Sequence, residues 1–282
     1  MRGRRTRSAE PLAAVVALAW LLISFSTAAG QRLASFPPPG DSPAGIDFVA
    51  GDMGGGTIYH VDNYTGDVYS ITTGGTATLL FNIAASTGQP YTYWHGNGVC
   101  FVGSGDDARS GTLYITRVDR GAAPYEDYVR SFTLDGTHLN TYDVSAIVDR
   151  PRGIAHDGTH FWLSSDGGFV KCDADFNLVQ QFSGPWGSGN GGLDFDPLTG
   201  LLYNAGLGSA YIVVMDTSCA SVNSWWLSSN QRVAVAVGAV TERDSRTLWV
   251  VDNTSILIEE TEDVHFTPVE GAGWGSIKAL FR

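Results

Sequence analysis

The stretch Gly153-Ile154-Ala155-His156-Asp157-Gly158-Thr159-His160-Phe161-Trp162 reads as two short strands joined by a tight turn. Apolar residues occupy both arms, and the Asp157-Gly158 pair between them is a hairpin signal. The second arm ends in an aromatic after a bulky apolar residue, and this ending recurs. Thr57-Ile58-Tyr59, Thr112-Leu113-Tyr114, Leu201-Leu202-Tyr203 and Thr247-Leu248-Trp249 each follow a turn in the same way. The five aromatics are 55, 48, 41 and 46 residues apart. A strand-built repeat of about 40–50 residues is the mark of a β-propeller, in which one four-stranded blade cannot bury its faces without neighbours.

Working outward, residues 153–157, 161–164, 169–172 and 178–182 give the four strands of this repeat, separated by Gly- and Asp-rich turns. First strands of the other repeats open at Gly45-Ile46-Asp47-Phe48, Gly98-Val99-Cys100-Phe101, Gly192-Leu193-Asp194-Phe195 and Gly238-Ala239-Val240. Third strands carry Val68, Val129, Val213 and Ile256. Outer strands are read at Leu79-Leu80-Phe81, Leu139 to Val144 and Ser224-Trp225-Trp226-Leu227. The chain after residue 30 has room for five blades, and a six-bladed ring, the alternative, would need about 30 residues more. The expected fold class is therefore all-β, with residues 45–282 forming a single β-propeller domain. A Pro-rich segment, residues 31–44, precedes it. Either that segment, with Phe36-Pro37-Pro38-Pro39, or the stretch from Trp274 to Arg282 is expected to pair with the opposite terminal blade and close the ring.

Residues 1–30 read as a signal peptide. Arg2, Arg4, Arg5 and Arg7 precede an apolar run from Leu12 to Phe25, and small residues follow at Ser26 to Gly30. The run is short for a membrane span of about 20 residues, and no later segment is long enough. Secretion, to an extracellular or periplasmic space, is the expected localisation, with no membrane span after cleavage. Removing the four arginines and Glu10 moves the formal charge from −12 to −15. Such an acidic body argues against nucleic acid as a partner. Cys100, Cys172 and Cys219 match no zinc or redox spacing, and a Cys172–Cys219 bridge between neighbouring blades is one arrangement open to them. The sequons at Asn63 and Asn253 also read as turn chemistry.

In a propeller, the loops between blades and the hairpins between second and third strands share one face, where the axis opens. Three inter-blade loops carry unusual residues: 89–97, 149–152 and 184–190. Tyr93, Trp94, His95, Arg152, Trp186 and Asn190 combine aromatic faces with guanidinium, imidazole and amide groups, the chemistry that holds sugars and small amphipathic molecules. The same aromatics would also serve as plugs of the central channel. Asp47 and Asp194 occupy matching places two residues after the first-strand Gly, with His156 and Glu242 near their counterparts. Two roles are open to these carboxylates: holding a hard cation such as Ca²⁺, or accepting inter-blade backbone hydrogen bonds. Asp173-Ala174-Asp175-Phe176-Asn177 starts like a calcium loop but lacks its Gly and final acid, and reads as a hairpin turn. No Gly-x-Ser-x-Gly elbow, P-loop or dinucleotide fingerprint appears.

The segment Gly153 to Trp162 resembles the repeat of NHL-type secreted propellers, a group that includes gluconolactonase-like hydrolases, streptogramin lyases and non-catalytic scaffolds. The resemblance covers most of residues 45–263 and implies the fold. The hydrolases of that group use an inner-strand Glu with Asn and Asp around a metal, a set that Asp47 and Asp194 match in part. Gly271-Ala272-Gly273-Trp274-Gly275-Ser276-Ile277-Lys278 resembles the repeat segment of tachylectin-type five-bladed lectins, which carry it in every blade. The expectation is an exported binding module without catalysis, for a small extracellular ligand, a carbohydrate, at the central mouth. A metal-dependent, lactonase-like hydrolase or lyase is the alternative. A scaffold that binds a protein partner through outer strands such as that of Trp225-Trp226 is the third.

Overall fold

The computed structural model describes residues 32–50, 55–88, 97–103, 110–118, 127–184, 190–206, 211–226, 232–240, 246–252 and 255–263. These form five four-stranded antiparallel sheets set as the blades of a propeller. Blade one is β2 (Pro43–Ala50), β3 (Gly56–Asp62), β4 (Asp67–Thr72) and β5 (Ala77–Asn82), followed by the one-turn helix α1 (Ile83–Thr87). Blade two is β6 (Val99–Gly103), β7 (Gly111–Val118), β8 (Asp127–Thr133) and β9 (His138–Asp143). Blade three is β10 (Ile154–His156), β11 (Phe161–Ser165), β12 (Gly168–Cys172) and β13 (Leu178–Ser183). Blade four is β14 (Asn190–Asp196), β15 (Leu201–Gly206), β16 (Tyr211–Met215) and β17 (Ser221–Trp226). Blade five is β18 (Arg232–Val240), β19 (Arg246–Asp252) and β20 (Leu257–Asp263), completed by β1 (Arg32–Phe36) as its outermost strand.

The N-terminal segment thus closes the ring, pairing Phe36 with Ile258 and Ala34 with Glu260. Two strand readings shift in blade five. Its inner strand begins at Arg232, with Ala234 rather than Gly238 in the place that glycine holds elsewhere, and Ile256 lies in the turn before β20 at φ 52°. Glu242 and Asn253 lie outside the described residues.

The repeat has a register. Tyr59 pairs with Asp47, Tyr114 with Cys100, Trp162 with Ala155, Tyr203 with Asp194 and Trp249 with Ala236. Each aromatic enters the seam with the following blade, and five apolar clusters, one per seam, make up the core. Tyr59 stacks on Phe101 of blade two at 5.1 Å, and Trp249 on Phe48 of blade one at 6.3 Å. Trp162 and Trp249 are fully buried, so truncating either to Ala would cost about 3–5 kcal/mol.

One position earlier than the inner-strand apolar residue, side chains are excluded. A Cβ on Gly45 would lie 2.6 Å from the Val99 amide nitrogen, and one on Gly98 would lie 2.5 Å from the Arg152 carbonyl oxygen. A Cβ on Gly153 would meet the Leu193 amide, and one on Gly192 would meet the backbone of Ala234. The recurring first-strand glycine is therefore the place where inner strands of neighbouring blades touch, backbone to backbone.

The four hairpins that join third to fourth strands share one hydrogen-bond pattern, with Thr72 bonded to Thr76, Thr133 to Thr137, Asp173 to Asn177 and Asp216 to Ala220. The fourth residue of each is left-handed: Gly75, Gly136, Phe176 and Cys219. Where it is Gly, a Phe from the preceding outer strand fills the space, Phe36 at Gly75 and Phe81 at Gly136. Where it is not, its own side chain enters the seam, as Phe176 does 4.7 Å from Tyr142. Asp173–Asn177 is thus a hairpin turn. The same geometry separates the cysteines. Cys172, of blade three, faces the seam with blade two, and Cys219, of blade four, faces the seam with blade three; all three thiols are buried and free. The outer strands carry a β-bulge at Leu33, Leu80, Leu139, Val179 and Val222, which breaks the row of unpaired edge groups available to other chains.

The connection from β1 to β2 is held by two buried side chains of β3 and its turn. Asp62 accepts from Ser42 N–H at 2.8 Å, and from Tyr64 and Thr65 N–H at 2.9 and 2.7 Å. His60 Nδ1 lies 3.1 Å from the Gly45 carbonyl, and Asn204 occupies the corresponding place in blade four, donating to Gly192 O at 3.0 Å. Burial pushes the His60 imidazole down to about 4, against the opposing pull of the Gly45 carbonyl and the Asp62 charge.

Two predictions follow from this packing. Gly153→Ala is expected to lower stability by about 3 kcal/mol in chemical denaturation, whereas Gly74→Ala, whose nearest neighbour would be 3.8 Å away, changes it little; equal effects would contradict the close-approach account. His60 is neutral when folded and protonates more readily unfolded, so its contribution is complete above about pH 6.5 and is lost as pH falls toward 4. His60→Asn, which keeps the carbonyl bond, should therefore lose less Tm than wild type between pH 6.5 and 4, a difference on the order of 3 kcal/mol. Parallel pH profiles would refute this.

Candidate functional site

The face formed by inter-blade loops and by second-to-third-strand hairpins is tied together by side chains that reach from one blade to the next. Asn63, after β3, donates its amide to Asn97 Oδ1 at 3.3 Å, and Asn97 donates to Pro151 O at 3.4 Å. The relay spans blade one, the entry to blade two and the entry to blade three. At that third entry, Arg152 grips Asp166 of the β11–β12 hairpin through two bonds, Nε to Oδ1 at 2.9 Å and Nη2 to Oδ2 at 3.3 Å. Arg150 adds Nη1 to Asp166 Oδ2 at 3.3 Å. Burial would raise the Asp166 carboxyl, but the hydrogen bond and charge of Arg152, then those of Arg150, hold it below the usual carboxylate range.

Arg150 has φ 58°, a left-handed conformation that costs a non-glycine residue about 1–2 kcal/mol. Its amide is held in place by Asp127 Oδ2 at 2.9 Å. On the far side of the hairpin, buried Asn190 donates to Ser165 O at 2.9 Å, and a Cβ on Gly184 would run into that amide. Arg152 and Asn190 therefore meet on one hairpin, Ser165-Asp166. Arg152 is part-exposed, while Asn190 is buried and bonded internally. Tyr93, Trp94, His95 and Trp186 lie outside the described residues, but the ends of their loops do not. Asn97 closes the loop of the first three and contacts Pro151. Gly184 and Asn190 bracket the loop of Trp186 and contact the Asp166 hairpin.

Asp47 and Asp194 have another setting. Asp47 accepts from Phe48 N–H at 2.7 Å and from Phe101 N–H of blade two at 2.5 Å. Asp194 repeats the arrangement with Phe195 N–H at 2.7 Å and Val237 N–H of blade five at 2.6 Å. Each carboxylate thus joins two blades, with both oxygens engaged by backbone donors. The two seams flanking blade three use hydroxyls. Thr116 accepts from Gly98 N–H at 2.8 Å and donates to Arg152 O at 3.1 Å, and Ser164 accepts from Gly153 N–H at 2.8 Å and donates to Gly191 O. Burial raises the Asp47 carboxyl to about 6 against the two backbone bonds, and pushes the Cys100 thiol up as well, with the Asp47 and Asp194 charges adding to it. These two residues do not form a cation cradle, and among the described residues no three His, Cys, Asp or Glu side chains converge on a metal position. His156 and His160 belong to the opposite face, where Asp157 accepts from Trp162 Nε1 at 2.9 Å and Lys171 lies 4.8 Å over the Trp162 ring.

No family model matches this chain, and no curated protein matches its sequence. Solved structures do match its fold. Glutaminyl cyclase from Myxococcus xanthus aligns with a TM-score of 0.57 at 14% identity, over 83% of this chain and 96% of that one. Regucalcin from Agrobacterium tumefaciens, a calcium-binding protein, aligns with a TM-score of 0.52 at 16% identity, over 85% and 96%. A gluconolactonase from Xanthomonas campestris gives 0.48 at 16% identity, over 73% and 68%. The resemblance read from the repeat is thus a resemblance of fold.

The clamp role of Asp47 is open to test. Asp47→Asn is expected to lower stability at pH 7 by about 2 kcal/mol through the loss of one charge-assisted bond, and Ca²⁺ is expected to leave the Tm of both proteins unchanged. A saturable rise of Tm with Ca²⁺ that disappears in the variant would contradict it.

Proposed function

We propose that this chain is an exported binding propeller whose mouth, at the junction of blades two, three and four, holds a saccharide. The observation that carries the reading is the convergence of two loop anchors on one fixed pair. Asn97, which closes the loop of Tyr93, Trp94 and His95, contacts the Pro151–Arg152 segment, and Asn190, which closes the loop of Trp186, contacts the hairpin of Asp166. Saccharides are held where an aromatic face covers the apolar side of the ring and rigid polar groups meet its hydroxyls. The Arg152–Asp166 pair is such a group, offering donors and acceptors at fixed positions, and the two loops supply the aromatics by their sequence. Seam clamps keep the frame rigid, so little order has to be gained when a ligand arrives. The metal-dependent hydrolase alternative draws no support from Asp47 and Asp194, whose oxygens serve the seams.

On an array of neutral and acidic glycans, the wild-type protein is expected to bind a defined subset, and the double variant Trp94→Ala, Trp186→Ala to lose at least about tenfold in affinity for it with Tm unchanged, as expected when stacking worth about 1–1.5 kcal/mol per ring is removed. Binding that survives the double substitution would refute the assignment.

A further inference from the structure

We infer that the saccharide carries a carboxylate, as a uronic acid does, and that Arg152 receives this carboxylate on the free edge of its guanidinium. The inference rests on the reading of the mouth as a saccharide site and names the ligand class. A guanidinium has two edges, each able to hold a carboxylate through two parallel N–H bonds. Asp166 takes the Nε–Nη2 edge of Arg152. The Nη1–Nη2 edge makes no hydrogen bond among the described residues, and the side chain is 25% exposed. Asp166 acts as a positioning residue, since it fixes the plane of the fork and presents the second edge without loss of rotamer freedom on binding.

A second guanidinium stands beside the first. Arg150 converges on the same Asp166 oxygen and is 44% exposed. The acid beside it, Asp149, is 80% exposed and 3.9 Å from Arg150 Nε. In a chain of formal charge −15 after residue 30, Arg150 and Arg152 stand together at this corner on one carboxylate. A planar carboxylate set beside a stacked sugar ring suits such a corner.

The test uses oligosaccharides of galacturonate, glucuronate and mannuronate, each paired with its neutral methyl ester, titrated into the full-length protein after leader removal. At least one uronate is expected to bind about tenfold or more tightly than its own ester. Arg152→Lys, which keeps the charge and loses the fork, should abolish that preference with Tm unchanged. Asp166→Asn should weaken the uronate and leave the ester as it was. Equal affinity for acid and ester, unaffected by Arg152→Lys, overturns the inference and leaves the saccharide reading standing. Binding to none of these and to no neutral glycan overturns both.

Discussion

The backbone-to-backbone approach of the inner strands is the constraint on which the rest of the structure depends. Gly45, Gly98, Gly153 and Gly192, with Ala234 in the fifth place, bring neighbouring blades so close that a Cβ at any of the four glycines would collide with the next strand. That approach sets the distance between blades, and the distance sets how much side chain each seam can hold. One aromatic per blade, paired across from the residue two positions after the glycine, fills the space. Close approach also leaves inner-strand amides without sheet partners on the axial side. Asp47 and Asp194 meet this need from one repeat position and Thr116 and Ser164 from another, which is why buried polar groups recur beside an apolar core.

The same constraint fixes the ends of the inter-blade loops. Because inner strands are fixed at their first residues, the loops that enter them begin from fixed points. Arg152 directly precedes the glycine of blade three, and its carbonyl accepts from Thr116 while its side chain grips Asp166. One residue thus belongs to the frame through its backbone and to the proposed mouth through its guanidinium. Substitutions there separate the two roles, since a side-chain change leaves the carbonyl in place.

The architecture was legible because it is repeated. A single aromatic at a spacing of about 47 residues and a glycine at each inner strand sufficed for blade number and for most strand positions. Blade five read less well because Ala234 takes the glycine's place there, so the nearby Gly238 drew the strand start toward itself. Of the site, Arg152 could be read from its loop. Asp166, 14 residues away, could not, because an acid at a hairpin tip looks like turn chemistry until the fold brings it to a guanidinium. Asn190 carried the signature of a binding amide but is buried against Ser165. Asp47 and Asp194 shared a repeat position for the reason that repeats share positions in general: both span a seam.

The central claim is that the ring is one cooperative body locked at its inner strands and closed by the N-terminal strand. Native-state hydrogen exchange read by mass spectrometry tests it most directly. Segments covering the inner strands of all five blades, together with β1 and β20, should exchange last and with a common opening free energy, because no blade retains its faces alone. Exchange that proceeds blade by blade, or early release of β1 from β20 while the other blades stay protected, would contradict the account.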